Sequence, residues 1–305
     1  MPSLSRRHFL GTALAAPVIG ASASSLASPR PSSFEFVFLT DPHIQPELGA
    51  VEGVKQCFAK VNEMKPAFVV TGGDLIMDAL AVGEARLHRQ WELWDEVMKT
   101  LQPTAYHTIG NHDVCGWSPK SVLKNDHADY GKKLFADRYG TGRTYRSFDH
   151  GGWHFILLDS IALGEDGGYK GWIDDAQLAW LQGDLEKVGR QTPITLVTHI
   201  PFYSVWHQVI QGPQITLGLG ALVGNVREFR KLLAAYNLRL VLSGHGHISE
   251  RIQFDQVTYL QGGAVSGMWW KGPVHGNPEG FVHITCHQDG SFEDRYIGYD
   301  WAPRR

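Results

Sequence analysis

From residue 33 onward the chain alternates between short runs that are almost wholly apolar and longer stretches in which apolar residues recur every three or four positions. The runs 34–39, 67–70, 104–109, 194–197 and 238–242 are rich in β-branched and aromatic residues, the pattern of strands buried on both faces. Helical spacing marks 51–64, 84–101, 120–139, 175–188 and 226–236. Five other runs, 143–148, 153–158, 253–260, 281–286 and 291–298, read as strands joined by turn-formers such as His150-Gly151-Gly152 and Asp289-Gly290. This mixture predicts a layered α/β body. No internal repeat and no Pro/Ser-rich linker divides it, so residues 28–305 are expected to form one domain.

Residues 1–27 follow a different pattern. They contain no acid, place Arg6 beside Arg7, and continue into an apolar run rich in Ala, Gly and Ser, which is the layout of an export leader. The segment Ser5-Arg6-Arg7-His8-Phe9-Leu10 resembles the twin-arginine signal of bacteria and departs from it at Gly11, where a Lys is common. Small-x-small patterns predict cleavage after Ala23 or Ala27. The competing reading is a membrane anchor, which the shortness and the Gly/Ser content of the run disfavour. The expectation is a periplasmic or secreted protein, passed to the twin-arginine export machinery already folded and without stable membrane insertion. Export in the folded state is commonly tied to a cofactor loaded in the cytoplasm.

Charge narrows the partners. The chain carries 28 Lys+Arg against 31 Asp+Glu, a net charge of −3, and loss of the leader would give 26 − 31 = −5. A protein that holds nucleic acid by bulk electrostatics needs a basic excess, so no nucleic-acid polymer is expected as a partner. Cys57, Cys115 and Cys286 are odd in number and lack metal-site spacing, which excludes a disulfide scaffold and a thiolate zinc knuckle.

The candidate chemistry lies just past the predicted strands. Five of them run into loops bearing His, Asp or Asn: Thr40-Asp41-Pro42-His43, Gly72-Gly73-Asp74, Gly110-Asn111-His112-Asp113, Thr198-His199-Ile200-Pro201 and Gly244-His245-Gly246-His247. Ligands of open α/β sheets gather at the carboxyl ends of strands, so the five loops can meet at one rim. In Asp41-Pro42-His43 the side chains are two apart, which on an extended segment places them on one side, and Pro42 biases Asp41 toward that geometry. His245-Gly246-His247 repeats the spacing. Imidazoles, carboxylates and an amide without thiolate suit Mn, Fe, Zn, Ni or Co. Two carboxylates, four histidines and Asn111 are too many for one ion and fit a pair of ions sharing a carboxylate.

The ordered set D-x-H, G-G-D, G-N-H-D, H-x-P and G-H-G-H resembles that of the calcineurin-like metallophosphoesterase superfamily, from Asp41 to His247. The resemblance implies a four-layer αββα sandwich of two mixed sheets. It implies that Asp41, His43 and His247 bind one divalent metal, that Asn111, His199 and His245 bind a second, and that Asp74 bridges them. It further implies hydrolysis of a small-molecule phosphoric ester by a hydroxide between the metals, with His112 on the leaving-group side and Asp113 able to orient its imidazole. The motifs are most similar to those of bacterial phosphodiesterases, including the class III cyclic-nucleotide branch. Purple acid phosphatases share much of the set but use a tyrosine where Met77 stands and lack the His of D-x-H.

Outside these motifs the residues leave more than one reading open. The segment 202–225, with Tyr203, Trp206 and His207, follows a presumed ligand and could be a substrate-facing lid or a packed surface loop. Trp269 and Trp270 could line the same cleft or belong to the core. Asp159 reads equally as a buried structural acid or as a partner of the ligands. His107, His150, His154, His207, His275 and His287 are expected to be structural, His207 being also a candidate to face substrate. Two alternatives to a phosphodiesterase stay open: a phosphomonoesterase using the same site, and a non-catalytic metal-dependent binding module.

Overall fold

The computed structural model describes residues 32–140 and 142–303. The expected leader and its cleavage sites lie outside the described residues. The described part falls within one compact unit. None of its helices is long and apolar enough to cross a membrane.

Two mixed sheets form the centre. The first joins β1 (Ser33–Leu39), β2 (Phe68–Thr71) and β3 (Ala105–His107) in parallel, and the C-terminal β12 (Gly280–His287) and β13 (Phe292–Gly298) extend it antiparallel beyond β1 in the order β13-β12-β1-β2-β3. The second contains β4 (Arg146–His150), β5 (Trp153–Leu157), β8 (Ile194–Val197), β9 (Leu238–Ser243), β10 (Ser249–Phe254) and β11 (Val257–Gly262). Its order is β10-β11-β9-β8-β5-β4, parallel inside and antiparallel at both edges. A small ladder, β6 (Ile161–Leu163) with β7 (Tyr169–Gly171), stands apart.

Strand alternation sorts the core into layers. Phe36, Phe38, Phe68 and Val70 of the first sheet pack against Phe155, Leu157, Val197 and Leu242 of the second. The intervening Val37, Leu39 and Val69 turn outward onto helices α1 (Ala50–Met64) and α2 (Glu84–Met98), through Val54, Phe58, Trp91 and Trp94. Ile156, Leu196 and Val241 turn away from the first sheet and share a cluster with Leu181 and Leu185 of α4 (Asp175–Val188) and Phe229 and Leu233 of α6 (Val226–Leu233). The expected four-layer αββα arrangement follows.

Local chemistry reshapes several expected elements. Of the helix expected over 120–139 only α3 (Lys133–Tyr139) forms. Upstream, the Ser118 and Ser121 hydroxyls accept from the backbone N–H groups of Lys120 and Leu123, side-chain bonds that compete with helix. The single strand expected over 253–260 is a hairpin, because Asp255 (φ 50°) and Gln256 (φ 65°) form a two-residue turn that reverses the chain between β10 and β11. The segment 202–225 contains a short helix, α5 (Trp206–Gln211).

Candidate metal centre

Every expected ligand stands just past the end of a strand. Asp41 and His43 follow β1, Asp74 follows β2, Asn111 and His112 begin a helical turn after β3, His199 follows β8, and His245 and His247 follow β9. Six of the seven expected metal ligands are more than nine-tenths buried; His245 and the neighbouring His112 are half-buried.

Their donor atoms close into two groups, Asp41 with His43 and His247, and Asp74 with His199 and His245; Asp74 also comes together with His43 and His112. In the first, His247 Nε2 lies 3.2 Å from Asp41 Oδ1 and 3.0 Å from His43 Nε2, and His43 Nε2 lies 3.5 Å from Asp74 Oδ2. In the second, His199 Nε2 lies 3.2 Å from Asp74 Oδ2 and 3.0 Å from Asn111 Oδ1, with His245 within 4.8 Å of Asp74 and His199. Donors bonded at about 2.0–2.2 Å to one ion stand roughly 3.0–3.5 Å from each other, so these spacings fit metal coordination.

The imidazoles are also turned correctly. His199 Nδ1 lies 2.8 Å from the Gly72 carbonyl, His247 Nδ1 2.6 Å from that of Gly267, and His112 Nδ1 2.5 Å from that of Met77. A carbonyl only accepts, so each Nδ1–H donates and Nε2 is left to face the cluster, as a metal-binding imidazole requires. The donor set therefore fits two divalent ions.

Backbone conformation departs from the extended geometry expected for Asp41-Pro42-His43. Asp41 (φ 54°), His43 (φ 41°), Asp74 (φ 53°), His245 (φ 71°) and His247 (φ 55°) all lie in the left-handed region, so the side chains converge because the chain turns sharply at each strand end. Such residues cost about 1–3 kcal/mol each and persist only where the surroundings fix them. Asp41 N–H donates to Gly73, His43 N–H to Asp74, and His245 N–H to the Asp41 carboxylate, stitching the loops together. Gly110 permits the close approach, since a Cβ there would lie 2.1 Å from the Asp74 nitrogen.

Charge is arranged to match. Burial alone would raise the Asp41 and Asp74 carboxyls, but the facing imidazoles, led by His247 at Asp41 and His199 at Asp74, hold both well below the usual carboxylate range. Burial pushes His43 and His245 down to about 4. Burial also works against protonated His199, yet Asp74 outweighs it and raises that imidazole to about 9.

Comparison with known proteins agrees with this geometry. The sequence profile described as calcineurin-like phosphoesterase matches residues 34–249, more than half of the chain. The protein belongs to the calcineurin-like phosphoesterase family. Purple acid phosphatase 22 of Arabidopsis thaliana is 26% identical over 88% of this chain and 56% of its own length, so the chain spans about half of that relative. A 3',5'-cyclic-nucleotide phosphodiesterase of Nostoc is 25% identical, over 70% of this chain and 68% of its own. The crystal structure of a dimetal phosphatase from Danio rerio shares the fold, with a TM-score of 0.58 and 14% identity over 88% of this chain and 99% of that one.

Within this calcineurin-like phosphoesterase the remaining candidates separate clearly. The role expected of Asp113 is corrected: its carboxylate accepts from the backbone N–H groups of Leu75, Ile76 and Gly110, and it is the Met77 carbonyl that orients His112. Neighbours in a tight helical turn point about 120° apart, which carries Asp113 inward and His112 toward the cluster. Trp270 is buried and donates from its indole to the Pro42 and His43 carbonyls. Trp269 is 37% exposed, its ring 5.2 Å from that of His247 and 6.3 Å from that of His43. Tyr203 packs edge-on against Tyr259 instead. His207 lines a cavity beside His245. Asp159 is a structural acid, bonded to Lys132, Thr144 and the Ile161 N–H.

Sequence reasoning missed two neighbours of the site. Tyr169 stands edge-on to His245, its ring 6.1 Å away, and burial, with the Asp74 charge, raises its hydroxyl to about 12. Ser160 accepts from the His199 and Ile200 N–H groups. Tyr169 opens the three-residue strand β7 after a Gly-rich stretch, too short for a periodic signal; Ser160, next to Asp159, was findable only as another strand-end polar residue.

Proposed function

We propose that this protein is an exported dinuclear-metal phosphoesterase that hydrolyses phosphodiesters. The observation that carries the reading is the pair of neighbouring donor groups, with Asp74 Oδ2 3.5 Å from His43 Nε2 in one and 3.2 Å from His199 Nε2 in the other, and the His112 imidazole 4.8 Å from that of His43. Bound divalent ions, drawn from Mn, Fe, Zn, Ni and Co, supply Lewis acidity toward phosphoryl oxygens and lower the pKa of water. Asp41, His43 and His247 hold one ion, Asn111, His199 and His245 the other, and Asp74 both. His112, fixed through Nδ1, presents Nε2 to deliver a proton to the departing alkoxide. Trp269 offers a flat apolar wall on the same side.

The diester preference is supported by charge. Among the described residues no Lys or Arg is hydrogen-bonded or ion-paired to an expected ligand or to His112, so the extra negative charge of a monoester meets no Lys or Arg paired with the site. Monoester hydrolysis is the second reading, favoured by the relative named a purple acid phosphatase. The test is turnover of bis-p-nitrophenyl phosphate against p-nitrophenyl phosphate with each metal added in turn, alongside metal analysis. Faster diester turnover supports the proposal and monoester turnover alone promotes the second reading. Two bound metals without hydrolysis of either ester would favour the binding module.

Export rests on the Arg6-Arg7 leader. Replacing both arginines with lysine should retain the protein in the cytoplasm; unchanged fractionation would refute the export route.

A further inference from the structure

The first sheet ends at β3 and the second at β4, and these two edge strands meet, with the Tyr106 and Phe148 rings stacked 3.7 Å apart. Against them lies a cavity of about 260 Å³. Tyr139 of α3, Trp180 of α4 and Tyr145, just before β4, give it aromatic walls, and Arg143 and Arg146 also line it. None of the expected metal ligands lines it, and neither does any Asp or Glu. Its volume is just below the range of about 300–1,000 Å³ usual for small-molecule sites, which suits a compact ligand.

The cations of this region are not equivalent. Arg138 pairs with Asp95, and Lys132 with Asp159. Arg146 has no carboxylate partner among the described residues. Its Nη2 donates to the His107 carbonyl at 3.3 Å, while Nε and Nη1 have no partner there and remain open to solvent. Burial holds its pKa below the ordinary arginine value, because the guanidinium has lost part of its water without gaining a counter-ion. Arg143 is exposed and also lacks a carboxylate partner; its guanidinium carbon lies 5.7 Å from the centre of the Tyr145 ring.

We propose that this cavity is a second ligand site, separate from the metal centre, which takes a small organic oxyanion: Arg146 and Arg143 grip its phosphate or carboxylate group, and its apolar body lies against Tyr145 and Trp180. A guanidinium offers parallel N–H donors that match two oxygens of such a group. An anion seated there supplies the counter-charge that Arg146 lacks. The Tyr145 and Trp180 rings, 5.0 Å apart between centres, form one aromatic wall for the rest of the ligand. The site does not depend on the reaction at the metals and stands whichever ester the chain prefers.

The test is calorimetry on the metal-loaded full chain with phenylphosphonate, benzoate and inorganic phosphate, none of which has an ester bond to cleave. Phenylphosphonate or benzoate should fill a site that Arg146→Met and Arg143→Glu each weaken at least tenfold, and the tighter of the two names the source as phosphate-like or carboxylate. Metal analysis of both variants should show the parent's content, so that the lost binding belongs to the cavity and not to the metals. Inorganic phosphate, which leaves the aromatic wall bare, should bind there at least fivefold more weakly than phenylphosphonate. Arg143 is exposed, so Arg143→Glu carries the test alone if Arg146→Met does not fold. Binding unchanged from the parent in either variant, in protein that melts normally, would overturn the proposal. So would the absence of binding by all three anions at millimolar concentration.

Discussion

Between the two sheets, Phe36 stacks on Phe68 with ring centroids 5.1 Å apart, and Phe155 meets both edge-on at 5.3 and 5.1 Å. At the rim a few residues away, the buried groups are carboxylates and imidazoles, and five of the ligands have left-handed backbones. The first region is apolar and regular, so its burial is favourable on its own. The second buries charge and strain, and five such residues cost about as much as the net stability of a typical domain. The contrast assigns the labour: the inter-sheet layer holds the fold, and the rim keeps a geometry that is useful only for gripping cations. Changes in the two regions should therefore separate function from stability.

The largest effect on function is expected from Asp74→Asn. Metal content should fall from two ions per chain to one or fewer and hydrolysis by about 10³ or more, since a bridging carboxylate serves both ions. Two metals retained per chain in this variant would reverse the assignment. Next, His112→Ala should keep both metals and lose about 10²–10⁴ in kcat. Metal analysis beside steady-state rates checks this, and full activity would remove His112 from the chemistry. Phe155→Ala should do the opposite, costing about 3–5 kcal/mol in urea unfolding while the folded protein still binds two metals.

The smallest effect sharpens the boundary between the regions. His107 on β3 is buried against Trp94 and Tyr139, and burial pushes its imidazole down to about 3. Its folded pKa lies below the unfolded value near 6.5, so the stability it contributes is complete above that pH and lost as pH falls toward the folded value. Between pH 7 and 5 the loss should be about 2 kcal/mol. His107→Gln should abolish that part of the slope in denaturant titrations; an unchanged slope would place the titration elsewhere.

Much of the rim was legible because each ligand sits within a few residues of a strand end, where a local pattern carries the information. Asp41, His43, Asp74, Asn111, His199, His245 and His247 needed only that placement. The direction of a neighbour was harder, as Asp113 shows: adjacency to His112 in sequence becomes divergence in a tight turn. Gln261 and Trp206 were illegible as neighbours, because strand β11 and the start of α5 are tied together through the Glu250 carboxylate on β10. Serine side chains that capture backbone N–H groups mark the start of the larger part of an expected helix that does not form, and a two-residue reversal at Asp255 hid one strand inside another. Trp269 and Trp270 differ only in which way consecutive left-handed residues turn them.

On the side away from β2, β1 pairs with β12, with Ser33 opposite His287 and Phe38 opposite Val282. A chain emerging from the ribosome therefore makes one of its first strands long before the strand that completes it. Asp41, at the end of β1, waits for His247 as well. Such distant pairing folds slowly, and no partial chain short of residue 247 can offer the first ion its full set of donors. A full donor set is thus out of reach until the chain has been made past residue 247, in whichever compartment folding ends.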